Sequence, residues 1–241
     1  MVLLVGLSLW VLFMPSNSLS STASEFKTPS GDHFQLKQFQ QETLGYLQDK
    51  QSCLLVAPTG SGKSMCYQSY AAANGFVVVV LPLISLIRDQ NKKCLDMGLK
   101  CRTYHHQISY EEKQNISLEL DSKRLDILFV TPEGLASNSL QTMLSKAEVK
   151  LVVVDEAHCV MDWGFGFRPE YRKIGHYLKS IFPKTLPVLA MSATISKQDQ
   201  KKILKQLMLD SAAVVNLKPF RENISMTFER FSSVLLSLIH I

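Results

Sequence analysis

Short β-branched, apolar runs alternate with longer amphipathic segments through the central part of this 241-residue chain. The six runs cover residues 53–57, 76–81, 127–131, 151–155, 188–192 and 213–217. Nearly continuous apolar strands are typical of a parallel sheet that is buried on both faces. The segments of helical length are 38–47, 63–73, 84–95, 111–120 and 197–207. This alternation predicts an α/β domain with a mostly parallel sheet and helices on both faces.

The composition is that of an ordinary globular protein, with 46% hydrophobic and 20% charged residues, which is ample for one buried core. The net charge of +5 is compatible with a phosphate-rich partner but does not require one. None of the five cysteines forms a C-x-x-C pair, so the sequence predicts neither a disulfide framework nor a zinc cluster. We therefore expect a reducing compartment.

A glycine-rich segment follows the first apolar run, at residues 57–64, and reads Ala-Pro-Thr-Gly-Ser-Gly-Lys-Ser. This is the phosphate-loop pattern with Ala in place of the first Gly. Gly60 and Gly62 allow the backbone to turn its N–H groups toward phosphate oxygens. We expect Lys63 to reach the β- and γ-phosphates of a nucleotide and Ser64 to hold Mg²⁺. The residues expected to contact the nucleotide here are Thr59, Gly60, Ser61, Gly62, Lys63 and Ser64.

Asp155 ends the apolar run 151–155, and a second carboxylate, Glu156, follows it directly. Asp155 suits Mg²⁺ coordination beside a phosphate loop, and Glu156 suits activation of the attacking water. Taken alone, such a run is more often a strand that meets solvent, and the segment 57–64 could be a simple glycine-rich turn. The two patterns together favour a nucleotide-hydrolysing site with Lys63, Asp155 and Glu156 as its catalytic residues.

Residues 155–158, Asp-Glu-Ala-His, form the DEAH box of superfamily 2 helicases. A more specific likeness lies in residues 159–171, which resemble the aromatic-rich loop of RecQ helicases, and in residues 62–68 after the phosphate loop. Further segments resemble RecQ motifs in the family's order, namely 36–42 upstream of the phosphate loop, 82–90 (motif Ia), 130–133 (motif Ib), 192–194 (motif III) and 220–223. The likeness runs from about residue 34 to 228.

The resemblance implies the first RecA-like, phosphate-loop NTPase domain of an ATP-dependent 3′–5′ DNA helicase, which uses ATP and Mg²⁺ and binds single-stranded and duplex DNA. It implies that Gln40 hydrogen-bonds adenine. The residues implied to contact DNA are Ser85, Thr131, Trp163, Phe165, Phe167 and Arg168. Those implied to couple DNA binding to hydrolysis are His158, Ser192 and Thr194. Stacking on aromatic rings and pairing of arginine with phosphate fit such a role.

The chain departs from the RecQ pattern at several positions. Lys37 stands where the family usually has Arg, and His33 lies near a position that is usually aromatic. Phe165 and Gly166 replace His and Asp of the aromatic loop, and Gly134 stands where Arg often follows Thr-Pro-Glu. We therefore expect weaker nucleotide binding from the changes at 33 and 37, weaker phosphate binding from Gly134, and weaker stimulation of hydrolysis by DNA from Phe165 and Gly166. Because the likeness covers one RecA-like domain, we also expect that this chain alone does not unwind duplex DNA.

The domain boundaries that we predict are 27–228 for the ATP-binding domain, 1–26 for a doubtful apolar and polar segment, and 229–241 for a linker or non-native tail. The apolar start resembles the hydrophobic part of a signal peptide, but its first basic residue is Lys27 and it is shorter than the about 20 residues of a membrane span. We expect a nuclear protein without a membrane partner.

Two other functions remain open at this point. One is a non-catalytic, degenerate module that binds nucleotide or DNA, which Phe165 and the missing second domain favour. The other is a DEAH-box RNA helicase, against which Gln68 and the segment 163–168 argue. Intact Lys63, Asp155 and Glu156 favour the DNA helicase.

Overall fold

The structure is a computed structural model, and it describes residues 25–162, 169–193 and 195–217. Its strands are β1 (Glu25–Lys27), β2 (His33–Gln35), β3 (Cys53–Val56), β4 (Val77–Val80), β5 (Cys101–Tyr104), β6 (Ile127–Val130), β7 (Leu151–Val154), β8 (Val188–Ser192) and β9 (Ala213–Asn216). Its helices are α1 (Gln38–Gln48), α2 (Ser64–Asn74), α3 (Ile84–Asp96), α4 (Tyr110–Asp121), α5 (Pro132–Leu135), α6 (Asn138–Lys146), α7 (Cys159–Asp162), α8 (Pro169–Arg172), α9 (Ile174–Ile181) and α10 (Lys197–Gln206).

Seven strands form one parallel sheet in the order β5-β6-β4-β7-β8-β3-β9. Strands β1 and β2 pair antiparallel beside it. The six apolar runs of the sequence correspond to β3, β4, β6, β7, β8 and β9, and the five predicted helices correspond to α1, α2, α3, α4 and α10. The predicted α/β fold, with a mostly parallel sheet, is therefore confirmed.

Side chains of the central strands alternate between two cores. Within β4, for example, Val77 and Val79 pack on one face while Val78 and Val80 pack on the other. Helices α1, α2 and α3 cover the first face and contribute apolar side chains such as Phe39, Tyr67 and Ile87. Helices α4, α6, α9 and α10 cover the second face with Ile116, Leu140, Ile174 and Ile203. Burial on both faces explains why these strands read as unbroken apolar runs.

The strand register brings the carboxyl ends of the central strands level with one another. Val56 of β3 pairs with Ser192 of β8, and Val80 of β4 pairs with both Val154 of β7 and Val130 of β6. The segments that follow these strands therefore meet at one edge of the sheet, which is where ligands of such sheets bind.

Strand β5 was not predicted, because it does not read as an apolar run. Its end residues Cys101 and Tyr104 are buried, but Arg102 is exposed and forms an ion pair with Glu119. Such a pattern suits an edge strand that is partly exposed to solvent. Within the ranges that the structure describes, no helix combines the length and apolar character that crossing a membrane requires.

Candidate functional site

The phosphate-loop segment joins β3 to α2 at the carboxyl edge of the sheet. Its first residue is tied to the neighbouring strand, because the Ala57 N–H donates to the carbonyl of Ser192 at 3.1 Å. Gly60 and Gly62 have φ angles of 78° and 98°, which a residue with a side chain rarely adopts. The sequence pattern and the backbone therefore agree on a tight loop that ends where α2 begins.

The Lys63 ammonium lies within this loop. Its Nζ donates to the carbonyl of Ala57 at 2.8 Å and to that of Pro58 at 3.3 Å. The Ser61 hydroxyl is buried and has no hydrogen-bond partner among the residues that the structure describes. The Lys63 ammonium and the unpartnered Ser61 hydroxyl both suit a ligand rich in acceptor oxygens, such as the polyphosphate of a nucleotide.

Residues just before and within α1 hold the loop from outside. The Lys37 Nζ donates to the Ser61 carbonyl at 2.9 Å, and the Gln40 Nε2 donates to the Gly62 carbonyl at 2.8 Å. The Gln40 Oε1 accepts from the Lys37 N–H at 2.7 Å, and Gln40 is only 4% exposed. Both ends of the amide that we expected to bind adenine are therefore engaged within the protein. The loop contact of Lys37 was not foreseen from the sequence.

Asp155 stands at the end of β7 and is only 7% exposed. Burial raises the pKa of its carboxyl to about 6, and the Glu156 charge adds to this effect. The Glu156 N–H, which donates to Asp155 Oδ1 at 2.9 Å, and the Lys63 ammonium act in the opposite direction. A buried carboxylate with one cation near it suits a divalent metal ion, with Ser64 at the start of α2 as the second predicted ligand.

Glu156 and His158 lie directly after Asp155 and face β8. Glu156 has a φ of 48°, a left-handed conformation that is uncommon for a residue with a side chain and that is frequent at functional sites. The His158 Nδ1 lies 3.4 Å from Glu156 Oε2 and 3.1 Å from the hydroxyl of Ser192. Ser192 is fully buried, and its carbonyl accepts from Ala57. One residue thus contacts both the DEAH segment and the phosphate loop.

The predicted DNA contacts at Ser85 and Thr131 lie after β4 and β6, two neighbouring strands of the sheet. Ser85 is exposed in the first turn of α3. Thr131 is only 1% exposed, and its Oγ1 accepts from the Gly134 N–H at 3.1 Å, so this hydroxyl caps α5. The remaining predicted contacts and coupling residues lie outside the described residues, namely Trp163, Phe165, Phe167, Arg168 and Thr194.

Among protein families, the DEAD/DEAH box helicase family matches residues 37–203. The RecQ ATP-dependent DNA helicase of Synechocystis sp. is 34% identical over 195 residues, which cover 79% of this chain and 40% of that protein. The RecQ helicase of Pasteurella multocida is 38% identical over 180 residues, covering 74% of this chain and 28% of its own length. ATP-dependent DNA helicase Q5 of Mus musculus is 34% identical over 201 residues, which cover 80% of this chain and 20% of that protein.

Solved structures share the fold at lower identity. The helicase domain of Pyrococcus furiosus Hef superposes with a TM-score of 0.57 and 19% identity, covering 74% of this chain and 37% of that one. The helicase MrfA bound to DNA and AMPPNP superposes with a TM-score of 0.58 and 23% identity, covering 76% and 27%.

The chain spans no more than about two fifths of the length of the curated relatives named above. The family match nevertheless extends over most of the chain and includes both the phosphate loop and the DEAH segment. The chain therefore belongs to the DEAD/DEAH box helicase family, and RecQ-type ATP-dependent DNA helicases are among its relatives.

Proposed function

We propose that this chain is the first motor domain of a RecQ-type 3′–5′ DNA helicase, and that it binds ATP with Mg²⁺ and single-stranded DNA. The observation that carries the proposal is the meeting of three segments around Ser192. Its carbonyl accepts from Ala57 of the phosphate loop, and its hydroxyl contacts His158 of the DEAH segment. The end of β8 therefore connects the proposed nucleotide-binding loop to the proposed hydrolytic residues.

The phosphate loop supplies the nucleotide site in this proposal. The backbone of residues 59–64 binds the phosphates, and the Lys63 ammonium exchanges its two carbonyl partners for phosphate oxygens. Ser64 and Asp155 hold Mg²⁺, which neutralises charge on the phosphates when it is bound. Gln40 remains the proposed adenine contact, and reading the base requires that its amide give up or share a present partner.

Glu156 is the proposed general base that orients and deprotonates the attacking water. Its carboxylate is about one-third exposed, so water reaches it, and His158 lies 3.4 Å away. The bond of His158 to Ser192 ties the position of this pair to the end of β8. We propose that DNA binding affects hydrolysis through this link, with Thr194 as a further coupling residue.

Single-stranded DNA is the proposed partner along the ends of β4 and β6. Ser85 offers an exposed hydroxyl at the amino end of α3, where the helix dipole favours phosphate. The backbone beside Thr131 is the second proposed contact. The roles of the aromatic residues 163–167 and of Arg168 rest on the resemblance to RecQ helicases. The domain limits at 27 and 228 stay predictions. A nuclear localisation also stays a prediction, because both animal and bacterial helicases are among the relatives.

Hydrolysis of Mg·ATP tests the proposal. The 241-residue chain should hydrolyse ATP slowly, and Glu156→Gln should bind ATP as well as the unchanged protein but hydrolyse it about 10²–10⁴ times more slowly. The control is Glu148→Gln, an exposed carboxylate at the opposite end of β7, which should leave hydrolysis unchanged. Equal hydrolysis by Glu156→Gln and the unchanged protein would remove Glu156 from the mechanism. ATP binding without any hydrolysis would favour the non-catalytic module instead.

A further inference from the structure

Two histidines, His105 and His106, directly follow the edge strand β5 and have no part in the proposed function above. Strand β5 lies beside β6, which lies beside β4, so these residues extend the edge that carries Ser85 and Thr131. The two ends are joined directly, because the Thr131 N–H donates to the Tyr104 carbonyl at 3.2 Å. The histidines therefore stand one strand beyond the proposed DNA contacts.

The two imidazoles lie close to each other and to a cation. Their ring centroids are 6.4 Å apart, with the ring planes at 73°. The pKa of His105 is lowered by its partial burial, by His106 and by Arg88 of α3, while Glu112 of α4 acts in the opposite direction. Arg88 is exposed and lies one turn after Ser85, hence on the same side of α3. Arg88 thus places a fixed positive charge near the His105 imidazole, between α3 and the end of β5.

Carboxylates also lie near this cluster, since Glu111 and Glu112 are in the first turn of α4 and Asp89 follows Arg88 in α3. The Glu112 carboxylate accepts from the Ser109 N–H at 2.7 Å as part of the capping box of α4, so it already serves the helix terminus. Lys113, one residue further, lies 5.9 Å from the Tyr104 ring centroid and adds another cation. The amino end of α4 also points its positive dipole toward this loop. A bound anion would offset the repulsion between Arg88 and a protonated His105.

The His105 ring is oriented by the backbone. Its Nδ1 lies 3.2 Å from the Gln107 N–H, which donates to it, so the proton of the neutral ring is assigned to Nε2. His106 is exposed. A neutral imidazole that donates through Nε2 can already hydrogen-bond a phosphate oxygen, and a protonated one binds it more strongly.

We propose that Arg88, His105 and His106 form a phosphate-binding site that extends the path of single-stranded DNA by one strand of the sheet. The inference rests on the proposed function, since it assumes that DNA follows the edge formed by β4 and β6. It adds to that function a dependence of DNA affinity on pH.

The direction of this dependence follows from linkage. A bound phosphate stabilises the protonated imidazole, so the pKa of His105 is higher in the complex than in the free protein. Binding therefore takes up protons, and DNA affinity rises as the pH falls toward 6. Because His105 starts from a lowered pKa, it is mostly neutral at pH 8 in the free protein.

The test is fluorescence anisotropy of a labelled oligothymidine with the 241-residue chain at pH 6 and pH 8 and constant ionic strength. The unchanged protein should bind about 5- to 10-fold more tightly at pH 6, since one pKa unit of linkage per proton corresponds to a factor of ten. The double variant His105→Asn/His106→Asn should lose this ratio to within about twofold, as its side chains do not titrate. His176→Asn, an exposed histidine on α9, should keep the full ratio.

Two further measurements keep the inference testable if the double variant unfolds. Arg88→Gln should weaken binding at both pH values and lower the salt slope by about one, the effect of removing one phosphate contact. In the unchanged protein, the imidazole proton resonances should show that oligothymidine raises the pKa of His105.

A double variant that keeps the pH dependence of the unchanged protein, or a His105 pKa unaffected by DNA, would overturn the inference and leave the proposed function intact. A folded protein that binds no DNA at either pH would overturn the inference and the DNA part of the proposed function together. Binding of Mg·ATP is measured separately and is independent of both results.

Discussion

The Nδ1 atom of His158 lies 3.1 Å from the hydroxyl of Ser192, and this contact joins the DEAH segment to the end of β8. Ser192 is fully buried, so its hydroxyl depends on a partner within the protein. The same His158 atom lies 3.4 Å from the Glu156 carboxylate. A change at the end of β8 therefore has a direct route to the proposed general base.

The contact predicts a measurable coupling energy. His158→Ala should lower the free energy of unfolding by about 1–3 kcal/mol, because it leaves the buried Ser192 hydroxyl without its partner. Ser192→Ala in the same background should cost much less than it costs alone. Urea unfolding of the single and double variants should give a coupling of about 0.5–3 kcal/mol. Additive losses would mean that the two groups do not interact.

Gln40 should affect nucleotide affinity through two separable contacts. If its amide reads adenine, Gln40→Ala should weaken ATP binding and leave GTP binding less affected. If it acts only by holding the Gly62 carbonyl, ATP and GTP should lose affinity equally. Calorimetric titration with both nucleotides distinguishes these outcomes, and we predict a larger loss for ATP. Lys37→Ala, which removes only the contact to the Ser61 carbonyl, is the control and should weaken both nucleotides alike.

Burial of the ionised Asp155 carboxylate should lower the free energy of unfolding, and the uncharged variant Asp155→Asn should restore it. Its pKa of about 6 in the folded protein exceeds the ordinary 3.8, so ionised Asp155 opposes folding. The stability contributed by protonated Asp155 is full below pH 3.8 and is lost as the pH rises through about 6. In the absence of Mg²⁺ and ATP, Asp155→Asn should therefore raise the free energy of unfolding by roughly 1–3 kcal/mol at pH 7.5.

The pH dependence provides the control for this prediction. The difference between Asp155→Asn and the unchanged protein should shrink as the pH falls toward 4, where the native carboxyl is protonated. A variant that is less stable than the unchanged protein at pH 7.5 would show that the carboxylate is favourably paired in the folded state.

Gly134 should not accept the arginine that the RecQ pattern often has at this position. A Cβ atom on Gly134 would lie 2.8 Å from the Tyr104 carbonyl oxygen, a backbone atom at the end of β5. Gly134→Ala and Gly134→Arg should each lower stability by about 1–3 kcal/mol, as overpacking does. Gly45→Ala is the matched control, since its Cβ meets open space within α1 and should raise stability by about 0.5–1 kcal/mol. Thermal unfolding measures all three, and an unchanged Tm for Gly134→Ala would show that the backbone yields easily.

The sheet was predictable because its central strands are buried on both faces. Six strands appear in the sequence as apolar runs, including the edge strand β9, whereas β5 at the other edge is interrupted by the exposed Arg102 and gives no such signal. Helices α6 and α9, which lie between predicted strands, were also missed. The α9 segment Ile174–Ile181 is short. Its place on the sheet depends on side chains such as Leu178, which pack in a core formed with residues far away in the sequence.

The candidate site was predictable where function depends on local sequence. The phosphate loop and the acidic pair require fixed residue types at fixed spacing, so Lys63 and Asp155 could be named in advance. The bond from Gln40 to the Gly62 carbonyl and the contact of His158 with Ser192 join segments distant in sequence. No local pattern reports such contacts.

Calorimetric titration of Mg·ATP into the 241-residue chain and its Lys63→Ala variant tests the central claim most directly. The account predicts that the unchanged protein binds Mg·ATP at one site and that Lys63→Ala shows no binding, because the loop then lacks its cation. Lys146→Ala, an exposed lysine at the end of α6, should bind as the unchanged protein does. Equal affinity of Lys63→Ala and the unchanged protein for Mg·ATP would contradict the account.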